Sequence, residues 1–285
     1  MCGIAGFCQF DEDFTCRREE WTRVLVDMRE SIAHRGKDQT GEYLGKTIGL
    51  SHTRLSIRDL EGGTQPMLRR VGERDYIIVY NGEVYNTDEL VPELERRGYR
   101  FETTCDTEVI LYAYIEYGLE FAEKLNGIFA IAVWDSGERR LVLCRDRVGV
   151  KPLFYSVKDD TFVFASEPKA LFCHPKIAPK ADDDSFREIF GIGPARTPGC
   201  GVFKGIYEVK PGYLAVFSDD GLREHRYWSL KAQPHTDSYL ETVERVSALL
   251  RDSVERQMVS DVPVCSFLSG GVDSTVAAVM VYKAV

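Results

Sequence analysis

An α+β fold is predicted, on three observations. Short strand patterns separated by turn residues run through most of the chain: Ile128–Trp134, Arg140–Arg145, Leu153–Val157 and Thr161–Ala165 follow one another with no room for crossover helices. The helical patterns are segregated from them, at Glu19–Ile32, Thr87–Arg97 and Thr107–Tyr117. Past about residue 232 the character changes to a helix–strand–helix pattern. The expected division is residues 1–232 as an antiparallel α+β domain, and 233–285 as the beginning of an α/β domain with a parallel sheet.

Each element has its own signal. Trp21, Val24, Leu25, Met28 and Ile32 recur at helical spacing, and His34-Arg35-Gly36-Lys37-Asp38 breaks the pattern. Tyr43–Ile57 alternates as a strand. Asp75–Tyr85 reads as a hairpin about Asn81-Gly82, the favoured two-residue turn. Pro168–Leu171 and Asp184–Phe190 read as short helices, and Tyr213–Phe217 and Leu222–Tyr227 as strands. Ser238–Val259 is one long helical pattern. It is followed by a short apolar strand, Val262–Leu268, the turn Ser269-Gly270-Gly271 and a helix from about Asp273. One strand and two helices cannot enclose a parallel sheet, so the expectation is a longer protein continuing past Val285.

Composition narrows the class of function. The 285 residues carry a net charge of −9, which argues against nucleic-acid or anionic-membrane partners. There is no transmembrane-length apolar run and no signal-peptide pattern. The eight cysteines are scattered, without zinc-site spacing. A cytoplasmic enzyme of small molecules fits these features.

The chemistry begins at Cys2. Removal of Met1 would leave a thiol and a free α-amine on one residue. That amine, with a reference pKa of about 7.7–8.0, can take the thiol's proton as in N-terminal threonine nucleophiles. An acyl-transfer nucleophile also needs an oxyanion hole and substrate clamps. Asn81 and Gly82 offer a side-chain amide and a backbone N–H, each such donor worth roughly 3–4 kcal/mol in a dry site, or are simply a turn. Arg54 is either a bidentate carboxylate clamp or a solvated strand arginine. Glu83 and Asp106 suit a substrate ammonium, although Asp106 is also placed to cap the helix that follows.

Five ordered motifs carry a resemblance: Cys2-Gly3-Ile4-Ala5-Gly6-Phe7, His34-Arg35-Gly36, Arg54-Leu55-Ser56-Ile57, Tyr80-Asn81-Gly82-Glu83-Val84-Tyr85-Asn86 and Asp106-Thr107-Glu108-Val109. Together they resemble the glutaminase domain of class II (N-terminal-nucleophile) glutamine amidotransferases, over residues 2–230. The resemblance implies a four-layer αββα sandwich that hydrolyses glutamine to glutamate and ammonia through a thioester on Cys2, with no cofactor. It implies that Arg54 holds the glutamine carboxylate, that Asp106 with Glu83 holds its amino group, and that Asn81 and Gly82 form the oxyanion hole. Lys37 stands where that family usually has proline, and Cys105 where serine or glycine is common.

The second motif is Leu268-Ser269-Gly270-Gly271-Val272-Asp273-Ser274, between an apolar stretch and a helix. Gly-rich turns at helix N-termini bind phosphates. It lacks the Gly-Lys-Ser/Thr ending of a Walker loop; Gly41–Thr47 is one residue too short for one, and Arg196 spoils a dinucleotide fingerprint after Gly191-Ile192-Gly193. The motif resembles the pyrophosphate loop of ATP pyrophosphatases, with Leu268, Ser269, Gly270, Gly271, Asp273 and Ser274 as ATP-binding residues and Asp273 as a Mg²⁺ ligand. The two domains in tandem resemble the glutamine-dependent asparagine synthetases. That implies aspartate, ATP and Mg²⁺ as further substrates and cofactor of the full enzyme, a homodimer, and no asparagine synthesis by these 285 residues alone. The alternatives are an amidotransferase of the same plan acting on another carboxylate, as in antibiotic- or peptide-modifying or β-lactam-synthetase-like enzymes, and a catalytically silent interaction domain, for which a retained Met1 would be the marker.

Overall fold

The computed structural model describes residues 1–284. Two compact units result, one formed by residues 1–56 and 61–229, the other by residues 57–60 and those from Leu230 onward.

The first unit runs β1 (Gly3–Cys8), α1 (Arg18–Ser31), β2 (Gln39–Leu44), β3 (Ile48–Arg54), β4 (Met67–Val71), β5 (Arg74–Val84), α2 (Thr87–Arg96), α3 (Asp106–Tyr117), α4 (Phe121–Lys124), β6 (Gly127–Asp135), β7 (Arg140–Arg145), β8 (Phe154–Lys158), β9 (Thr161–Ala165), α5 (Pro168–Leu171), α6 (Asp183–Ile192), β10 (Tyr207–Glu208), β11 (Tyr213–Ser218) and β12 (Gly221–Arg226). The strands form two six-stranded antiparallel sheets, ordered β10-β8-β9-β1-β3-β2 and β12-β11-β7-β6-β5-β4.

Side-chain parity builds the layers. In β1, Ala5 and Phe7 point outward to Trp21, Leu25 and Met28 of α1, whereas Ile4 and Cys8 point inward between the sheets. In β5, Ile77 and Val79 point inward to meet them. Ile78, Tyr80 and Val84 turn outward to Leu90 and Leu94 of α2, Ile110 and Tyr114 of α3 and Phe121 of α4. Both faces of the central strands are therefore covered. This explains why Gly3–Cys8 reads as a continuous apolar run rather than an alternation. The result is the expected four-layer αββα sandwich, with each large apolar side chain so buried contributing roughly 1.5–3 kcal/mol.

The hairpin expected about Asn81-Gly82 is absent. β5 runs unbroken for 11 residues, with Asn81 opposite Ala130 and Gly82 opposite Phe129 of β6. The tight turn falls earlier, at Gly72-Glu73, where Val71 pairs with Arg74. Continuous pairing with β6 overrides the local turn preference, which tertiary context readily does. The single strand expected over Tyr43–Ile57 is in fact β2, a turn and β3, paired from Gln39↔Arg54 to Leu44↔Gly49.

The second unit holds α7 (Tyr239–Gln257) and α8 (Val272–Ala284). Ser238 and Glu241 form the capping box that starts α7. In the same unit, Asp261 N–H donates to Ile57 O at 2.9 Å and Asp261 Oδ2 accepts from Asp59 N–H at 2.7 Å. The strand expected at Val262–Leu268 does not form: that stretch is irregular, with Phe267 91% exposed. A lone parallel strand has no neighbours to satisfy its backbone groups, and the described residues of this unit contain no other strand.

Two buried histidines give the first unit a defined response to acid. His52 Nε2 lies 3.1 Å from Tyr80 O, tying β3 to β5, and burial pushes its pKa down to about 3. His174 stacks on Trp21, and burial pushes it down to about 4. Both are neutral when folded, so the unfolded chain binds more protons below its own histidine pKa of about 6.5. Their contribution to stability is complete above about pH 6.5 and is lost as the pH falls toward those folded values. Each is worth up to about 1.4 kcal/mol per pH unit over that window. Urea unfolding at about pH 7 and about pH 4.5 should therefore show a smaller pH-dependent loss for His174→Phe than for the parent. Equal losses would contradict this account.

Candidate active site

Strand parity brings the sequence-predicted residues to one end of the space between the sheets. Cys2 has the parity of Ile4 and Cys8 in β1; Arg54 has that of Ile48 and Leu50 in β3; Asn81 and Glu83 have that of Ile77 and Val79 in β5. Gly3 pairs with Thr53, so Cys2 and Arg54 lie at the same end, and β1 and β3 both pack on β5.

Cys2 is half-buried and firmly held. Arg35 Nε donates to its carbonyl at 2.9 Å, and Arg35 Nη1 pairs with Glu167 at 2.9 Å. Ile4 N–H donates to Ser166 Oγ at 3.0 Å, fixing the strand just beyond. The thiol sits against the backbone of Leu55, whose N–H approaches Sγ at 3.4 Å and whose carbonyl lies 3.6 Å away. Burial raises the thiol's pKa, against the Leu55 N–H, the chain's α-amine and Arg54, which lower it; Glu83 adds to the rise. The resting group is a thiol, which would need a base to act as a nucleophile. The α-amine, here on Met1, is lowered first by burial and further by Arg35 and Lys151, with Cys2 and Asp38 opposing.

Arg54 is only 4% exposed, which excludes a solvated arginine. Its Nη1 donates to Gln39 Oε1 at 2.7 Å. Gly63 passes directly over the guanidinium: a Cβ there would fall 2.1 Å from Nη2 and 2.9 Å from Cys105 Sγ. Asp106 is the first residue of α3 rather than its cap, which is Cys105. Its Oδ2 accepts from Tyr80 OH at 2.9 Å and Val84 N–H at 3.0 Å.

Two donors line the outer edge of β5. β4 pairs with β5 only as far as Ile78, leaving the edge beyond it open. Tyr80 N–H donates outward to Gln65 Oε1 at 2.6 Å and Val84 N–H to Asp106. Alternation therefore directs the Gly82 N–H, between them, to the same edge. A Cβ at Gly82 would lie 2.2 Å from Ile128 O, so no larger residue fits this strand pair. Asn81 is 1% exposed and its Nδ2 is buried without a hydrogen-bond partner. An unsatisfied donor costs about 1–3 kcal/mol and stands ready for an acceptor.

Several residues of this site escaped sequence reasoning. Glu108, fully buried, accepts from Arg69 Nε at 3.0 Å, Thr103 N–H at 2.8 Å and Thr103 Oγ1 at 2.7 Å, and so shapes the loop that presents Cys105 and Asp106. Gln65 and Tyr80 hold the edge of β5 and the Asp106 carboxylate. Tyr80 and Glu108 stand inside the quoted motifs but had no role assigned, and Gln65 lies outside every motif. Lys151, 8% exposed, interacts electrostatically with both Cys2 and Glu83, and no local pattern marked it.

The residues of the second motif lie in the other unit. Ser269-Gly270-Gly271 leads into α8, Asp273 is in its first turn, and Leu268 is 65% exposed. Ser269 Oγ and Ser274 Oγ are 3.0 Å apart, and Ser274 Oγ donates to Gly271 O at 3.0 Å. This set of hydroxyls and free N–H groups at a 13-residue helix start suits phosphate oxygens. Among the described residues no group of three or more His, Cys, Asp or Glu side chains could hold a metal.

Comparison with known proteins agrees with this geometry. The sequence profile of the glutamine amidotransferase domain matches residues 1–228, and that of asparagine synthase matches residues 245–284. The chain is 46% identical to asparagine synthetase [glutamine-hydrolyzing] 3 of Bacillus subtilis over 96% of its length, and 35% identical to that organism's asparagine synthetase 1, also over 96%. It spans less than half of those relatives, 44% and 43%. The solved glutamine phosphoribosylpyrophosphate amidotransferase of B. subtilis superposes with a TM-score of 0.57 at 18% identity, over 99% of this chain and 64% of that one, and so shares the fold. With the profile covering the whole of the sandwich, the chain belongs to the glutamine amidotransferase domain family.

Proposed function

We propose that the chain is the glutaminase half, with the first part of the synthetase half, of a cytoplasmic, homodimeric glutamine-dependent asparagine synthetase. The observation that carries the glutaminase reading is the shared inter-sheet face of Cys2, Arg54, Asn81 and Glu83, with an unpaired amide donor at Asn81. After removal of Met1, the Cys2 amine takes the thiol's proton and Sγ attacks the side-chain carbonyl of glutamine. Asn81 Nδ2 and the Gly82 N–H hold the oxyanion. Arg54 binds the substrate carboxylate, and Asp106 with Glu83 its ammonium. Collapse breaks the C–N bond; the proton returns from the amine and ammonia leaves. Water then hydrolyses the thioester to glutamate and restores the thiol. The amine is regenerated in each half, so the glutaminase needs no cofactor.

In the full enzyme the ammonia would displace AMP from β-aspartyl-AMP, made from aspartate and ATP with release of pyrophosphate. Ser269, Gly270, Gly271 and Ser274, following Leu268, would hold the phosphates. Asp273 would ligate Mg²⁺, which neutralises phosphate charge when bound. The profile match at residues 245–284 supports this half.

Glutamate release from glutamine without ATP tests the first half. The parent should be active and Cys2→Ala inactive; activity surviving in Cys2→Ala would sink the nucleophile assignment. Asn81→Ala should lower kcat about 10²–10³-fold with little change in KM, since the donor acts on the oxyanion. Arg54→Lys should instead raise KM, about tenfold or more, through loss of the bidentate clamp. The reverse pattern in these two variants would exchange or refute the roles.

A further inference from the structure

A side chain completes the outer edge of β5 where β4 stops. β4 ends at Met67, opposite Ile78. Gln65, 8% exposed, places its amide where the next partner of Tyr80 would stand. Its Oε1 accepts from Tyr80 N–H at 2.6 Å, and its Nε2 donates to Thr107 Oγ1 at 3.2 Å. Thr107 is fully buried in the first turn of α3, and its Oγ1 also accepts from Cys105 Sγ at 3.2 Å. An uncharged amide, with an acceptor and a donor side by side, suits this place. Close packing holds the bridge from behind, since a Cβ at Gly41 of β2 would collide with Gln65 O.

The bridge joins the two elements that carry the oxyanion donor and the ammonium clamp. Tyr80 is held at three points: its N–H on Gln65, its carbonyl 3.1 Å from His52 Nε2, and its hydroxyl donating to Asp106 Oδ2 at 2.9 Å. The same Asp106 oxygen accepts from Val84 N–H at 3.0 Å. Gln65 and Asp106 thus occupy the edge of β5 at Tyr80 and Val84, on either side of Gly82. Phe129, opposite Gly82 on β6, donates its N–H to Asp146 Oδ2 at 3.2 Å, and its carbonyl accepts from Asp146 N–H at 2.9 Å. Both its polar groups therefore face away from Gly82. The Gly82 N–H is presented between two fixed points, and both points lead to the first turn of α3. Asp106 has to serve the substrate as well; Gln65 does not.

We propose that Gln65 is a positioning residue of the glutaminase site: its amide, bridging Tyr80 N–H and Thr107 Oγ1, sets the Gly82 N–H and the Asp106 carboxylate in register for one glutamine molecule. The proposal rests on the N-terminal-nucleophile reading above. Glutamine spans the two points, with its ammonium on Asp106 and its amide oxygen at the Gly82 N–H. A shift of about 1 Å between β5 and α3 misplaces one end whenever the other is bound. The loss falls on the transition state, because the oxyanion donor is engaged there.

The test compares the parent with Gln65→Met, Thr107→Val, the double variant and Thr107→Ser, each shown by intact mass to have lost Met1 and by circular dichroism to be folded. Gln65→Met and Thr107→Val should each lower glutaminase kcat about 10²-fold, with glutamine KM within about threefold. The double variant should lose no more than the worse of the two, since both cut the same bridge. Thr107→Ser, which keeps the hydroxyl, should recover most of the loss seen in Thr107→Val. Alkylation of Cys2 by iodoacetamide uses the thiol and neither Gly82 nor Asp106, and should stay within about twofold of the parent in every variant. Parent-like kcat in whichever single variant folds, or additive losses in the double variant, would overturn the proposal. A parallel fall in alkylation would do the same, by showing a general disturbance of the site. A trimmed, folded parent that releases no glutamate would instead overturn the N-terminal-nucleophile reading, and the proposal with it.

Discussion

The face-to-face packing of β1 and β3 on β5 governs the first unit. Alternate residues of these strands point into one inter-sheet space, apolar along most of its length through Ile4, Leu50, Ile77 and Val79. At the end of that space the same parity delivers Cys2, Arg54, Asn81 and Glu83. These four residues therefore sit on strand ends braced from outside by α1 and α3. A one-residue slip in any of the three strands would turn its functional side chain into a helix-packed layer.

Low dielectric then decides the chemistry. The thiol is raised by burial and remains protonated at rest, while burial and two neighbouring cations lower the amine. Around this pair the charged residues are closely accounted for: Arg35 on Cys2 O and Glu167, Asp106 on Tyr80 and Val84, Glu108 on Arg69. Asn81 Nδ2 and Arg35 Nη2 are buried there without a hydrogen-bond partner.

The second unit illustrates the opposite limit. Its helices are locally well specified, as the Ser238–Glu241 capping box shows. The intervening Val262–Leu268 nevertheless stays irregular, because strand formation depends on partners that the described residues of that unit do not include.

By itself, the sequence determined the local elements and the identity of the reacting groups. Helical spacing placed α1, α2 and α3 to within a residue or so of their ends, and the ordered motifs that include Cys2, Arg54, Asn81 and Asp106 carried the resemblance to glutamine amidotransferase domains. Those signals are short-range, carried by periodicity and by motifs a few residues long. Only the tertiary structure overturned the readings that local sequence favoured at these positions. Asn81-Gly82 became mid-strand because β6 pairs along the whole of β5; Arg54 was buried because Gly63 lies on it; Asp106 was freed from capping because Tyr80 and Val84 claim its carboxylate.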